Sequence, residues 1–117
     1  MMIRDRLVST GNAAANAYLR AGRNVLPAQC AEESSRVGWL RAVENDEKRR
    51  GFYGAAERRQ QAEKLYDVDR NALTVASRAE KRTREAAEQA DPKAAALVQG
   101  ELLAIWSDYH ELREARS

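Results

Sequence analysis

Cysteine, proline, aromatic side chains and long apolar runs are all scarce in this chain. A single cysteine, Cys30, leaves no intrachain disulfide to form, and the simplest setting for it is a reducing, cytoplasmic one. No apolar run approaches the roughly 20 residues that cross a bilayer, and Arg4 and Arg6 are not followed by the apolar stretch of a secretory signal. Aromatics make up 6% of the sequence and include one Phe, so large core-forming side chains are few. Alternating apolar and polar residues of the kind that mark strands do not occur. Phosphate-binding glycine loops, Cys-x-x-Cys pairs and His-Glu-x-x-His are also missing. These absences argue against a β protein and against an enzyme, and no catalytic residue, cofactor or metal is assigned.

What remains is a 117-residue chain rich in Ala, Glu and Arg, with 32% charged residues nearly balanced between 20 basic and 18 acidic. That composition suits an all-α domain with highly charged outer faces. The near balance does not suit a strongly basic nucleic-acid binder. Residues 1–29 hold four Arg and one Asp, whereas 91–117 hold three basic and five acidic groups. Ends of opposite sign favour packing within or between chains.

One domain over 1–117 is expected, with three to four helices near 3–22, 27–50, 54–90 and 92–115. In the first, Ile3, Leu7, Ala14, Tyr18 and Ala21 recur at helical spacing. Ser9-Thr10-Gly11-Asn12 interrupts the pattern, and Asn12 could instead cap a shorter helix starting at Ala13. Gly22 reads as a stop, residues 23–26 as a connection, and Pro27 as the first turn of the next helix. Cys30, Val37, Leu40 and Val43 form its stripe, with Trp39 alongside.

The longest helical stretch is Gly54 to Ala90. On a wheel of about 100° per residue, Ala62, Leu65, Tyr66, Val68, Ala72, Leu73, Val75, Ala76 and Ala79 share one half. Asp69 lies in the middle of that apolar half. Asp91-Pro92 ends the stretch and starts the next helix, since Asp favours the N-cap and Pro the first helical position. Beyond it, Ala95, Leu102 and Tyr109 interleave with Val98, Ile105 and Leu112 as an a/d seam. The fold expected is a long central helix folded against the C-terminal helix as an antiparallel hairpin, with bulky Val98 to Tyr109 on the small-residue face of 62–79. A homodimer is the expected assembly.

The lone His110 lacks the companions a metal site requires. Asp69 is the one polar residue out of place, and a carboxylate on an apolar face calls for a partner. Lys48-Arg49-Arg50 and Arg58-Arg59 flank Gly51-Phe52-Tyr53-Gly54, a basic–aromatic arrangement of the kind that holds phosphates and stacks bases. Acidic neighbours dilute it. The expected function is a non-enzymatic helical interaction module that contacts another protein through Arg49, Arg50, Phe52, Tyr53, Arg58, Arg59 and Asp69. The alternative is a nucleic-acid-binding accessory protein using segment 48–59.

Overall fold

A computed structural model describes residues 12–48 and 54–116. The described residues form three α-helices and no strand: α1 (Ala13–Lys48), α2 (Ala55–Ala90) and α3 (Pro92–Arg116). α1 packs most against α2.

Each helix start has a local chemical cause. The Asn12 side chain accepts from the backbone N–H groups of Ala14 and Ala15 at 3.0 and 3.4 Å. It therefore satisfies donors that a helix start leaves orphaned, and α1 begins at Ala13. Gly54 has φ of 85°, a left-handed conformation that costs a side-chain-bearing residue about 1–2 kcal/mol. Its carbonyl accepts from the Arg58 N–H at 3.0 Å and closes the first turn of α2. Asp91 caps α3 by accepting from the Ala94 N–H at 3.2 Å, with Pro92 at the first helical position.

The expected break over 23–26 does not occur: α1 runs unbroken through Gly22 and Pro27. Gly22 is a point of close approach rather than a stop. A Cβ there would lie 2.4 Å from a methyl of Leu102, so only glycine lets α3 come this near. Pro27 forfeits a backbone donor, yet buried Leu26 beside it holds the helix in place through packing.

The chain divides into two compact units. The first comprises residues up to Leu26 and from Ser77 onward, and the second is Pro27–Ala76. The first unit has a core in which Ala15, Tyr18 and Leu19 of α1 meet Ala87 of α2 and Ala94, Ala95, Val98 and Leu102 of α3. Val98 is fully buried, and Ile105 is buried as well.

This placement corrects the expected partner of the bulky α3 residues. Only Asp91 separates α2 from α3, so a residue some way past the link lies level with one about equally far before it. Val98 is thus level with the last turns of α2, and α1 supplies the large side chains opposite. The Leu65–Ala79 stretch is not core. Leu65, Val68 and Val75 are 57, 64 and 63% exposed.

The second unit is a pair of helical segments, 27–48 and 55–76. Contacts Trp39–Tyr66 and Asp46–Arg59 show that the two run in opposite directions. Its buried residues, among those described, are Glu32, Ser35 and Ala55.

Candidate functional site

The second unit holds its two segments together with polar and aromatic contacts. The rings of Trp39 and Tyr66 stack 5.4 Å apart at 12°, and the Arg70 guanidinium lies over the Tyr66 ring at 5.5 Å. The Arg59 guanidinium donates to Asp46 at 3.2 Å. Ser35 turns its hydroxyl back on its own helix and donates to the carbonyls of Ala31 and Glu32 at 3.0 and 3.2 Å. The indole N–H of Trp39 is buried with no acceptor among the described residues.

These contacts use one side of α2 and leave another bare. Arg59 and Tyr66 mark the side facing α1. Leu65, Val68, Ala72 and Val75 lie about 150° round the helix from that side, at about 100° per residue. Their spacing of three, four and three is that of a coiled-coil a/d seam, and all four are exposed. Before Leu65 the same positions hold Arg58 and Gln61, so the apolar seam starts there. Val37 and Leu40 of α1 are also exposed.

Of the residues expected to bind a partner, Arg49, Arg50, Phe52 and Tyr53 lie outside the described residues. Arg58 is exposed at the start of α2, its guanidinium lying over Gly54. Arg59 is engaged by Asp46 and is not a freely offered cation. Asp69 is half-buried and has no ion-pair or hydrogen-bond partner among the described residues. It borders the seam on the side toward α1. The seam itself was visible as an apolar face, but periodicity alone assigned it to the core.

The first unit carries an open cleft of about 280 Å³. Tyr18, Trp106, Leu102 and Leu103 line it together with the Glu80–Arg84 ion pair, whose separation is 3.1 Å. Burial and, after it, the nearby Glu80 carboxylate raise the Tyr18 phenol above its ordinary value of 10.0. His110 stacks on Trp106 at 5.8 Å, and no group of three or more metal-ligating side chains occurs among the described residues. No described helix is long and apolar enough to cross a membrane. No protein-family model, no curated protein and no solved structure matches the chain.

Proposed function

We propose that the chain is a non-enzymatic helical interaction module, an adaptor, inhibitor or assembly subunit, that works by presenting the bare face of α2 in its second unit. The observation that carries this reading is the exposure of Leu65, Val68 and Val75 at 57, 64 and 63% on one seam, with exposed Ala72 between the two valines. Exposed apolar side chains in a contiguous row mark interaction surfaces far more often than singly scattered ones do. A face of this kind, read at i, i+3 and i+7, matches the mode in which helices dock on helices. Asp69 at its border adds a polar selector. A cytoplasmic setting accompanies the reading, supported by the lone Cys30 thiol.

The test is capture of binding proteins on the immobilised chain beside its Val68→Glu/Val75→Glu variant. The reading expects specific protein retention by the native chain and none by the variant, with equal helicity by circular dichroism. Identical retention by both would remove the α2 face from the function.

A further inference from the structure

We propose that a second copy of this chain docks on the α2 seam, parallel and in register, with Lys64 of each copy reaching the partner's Asp69. This deepens the interaction-module reading and rests on it, naming the partner of the same face.

Charge placement carries the choice of occupant. With Leu65 and Ala72 at a, and Val68 and Val75 at d, Lys64 falls at g and Asp69 at the following e. In a parallel two-stranded coiled coil, a g residue faces the partner's e residue of the next heptad. Lys64 therefore meets Asp69 of the partner subunit, and symmetry forms the pair twice. Both groups are available for it. Neither Lys64 nor Asp69 has an ion pair or hydrogen bond among the described residues. The charged pair on the opposite side of Asp69, Arg70 and Asp67, is already engaged within the helix at 3.0 Å. The remaining g and e positions beside the seam, Asn71 and Ala76, are uncharged and oppose nothing.

The same residues select the direction. An antiparallel seam that matched Leu65 with the partner's Val75 would bring Asp69 beside the partner's Asp69. Like charges side by side disfavour that arrangement. The parallel form also gives a role to the carboxylate that stands in the apolar half of α2. Each copy's α1 contacts the far side of its own α2 and leaves the seam open to the second copy.

The test combines mass, register and charge. Light scattering coupled to size exclusion, over a range of loading concentrations, is expected to approach twice the 13.1 kDa monomer mass. Ala72→Cys on a Cys30→Ser background is expected to cross-link to a dimer under mild oxidation, because a positions face each other only in the parallel, in-register form. Lys64→Glu should raise the dimer dissociation constant by about three- to tenfold, as expected for exposed pairs, and adding Asp69→Lys should restore it. Val68→Glu/Val75→Glu should be monomeric with unchanged helicity. A monomer at every concentration overturns the proposal. The module reading then stands if the Val68→Glu/Val75→Glu variant still loses a different captured protein, and falls with it otherwise. A dimer that survives Val68→Glu/Val75→Glu, a charge swap that fails to restore binding, or a mass of four copies overturns the seam, the ion pairs or the pairwise form respectively.

Discussion

Asp91 shows how much one side chain decides. Its carboxylate closes the start of α3 on the Ala94 N–H, and with Pro92 it ends one helix and begins the next. Asp91→Ala is expected to lower stability by about 1 kcal/mol, read as a shift of the urea midpoint. Gly22 acts through space instead. Alanine there gains about 1 kcal/mol of helix propensity but drives a methyl into Leu102, and overpacking costs about 1–3 kcal/mol. Gly22→Ala is therefore expected to destabilise on balance, and thermal melts of the variant check the sign. Tyr18 sets a pH dependence. Its phenol is held neutral in the folded chain above the value of 10.0 it has when unfolded. The unfolded chain sheds that proton first as pH rises. The stability Tyr18 contributes is thus complete below pH 10 and disappears as the pH climbs through the raised folded value. Urea titrations at pH 8 and above pH 10 should show a smaller alkaline loss in Tyr18→Phe than in the native chain.

At the scale of elements, α1 overrides its own punctuation. Pro27 is exposed and packs little, yet it sits inside a 36-residue helix. Pro27→Ala is expected to raise stability by up to about 3 kcal/mol, measured by denaturant unfolding. The caps at Asn12 and Asp91 were legible in the sequence because cap chemistry is local, spanning two or three residues. The continuity of α1 was not. Gly22 reads locally as a stop, and its close approach to Leu102 is a contact between positions far apart in the chain. The α2 face was legible as apolar but not as exposed, because a period of 3.6 records which residues share a side and is silent on what covers it. Asp69 stood out in the sequence as a misplaced carboxylate. That it borders an open face became visible only once Trp39 and Tyr66 fixed which side of α2 meets α1.

For the whole molecule, the two units differ in what holds each together. The first buries Val98 and its neighbours in a shared core. Among its described residues the second buries Glu32, Ser35 and Ala55, and an aromatic stack and an ion pair join its segments. Local opening follows buried apolar contact. Amides within 27–48 and 55–76 are therefore expected to exchange with deuterium faster than those around Ala15–Leu19, Ala87 and Ala94–Leu102. Equal protection in both sets would contradict this ordering.

The chain's two tryptophans fall one to each unit, Trp39 in the second and Trp106 in the first. Each unit thus carries its own intrinsic fluorophore. Trp39→Phe leaves emission that follows the first unit alone, and Trp106→Phe leaves emission that follows the second. Recorded against denaturant, the two signals turn an otherwise uniform helical signature into a separate melting curve for each half of the fold.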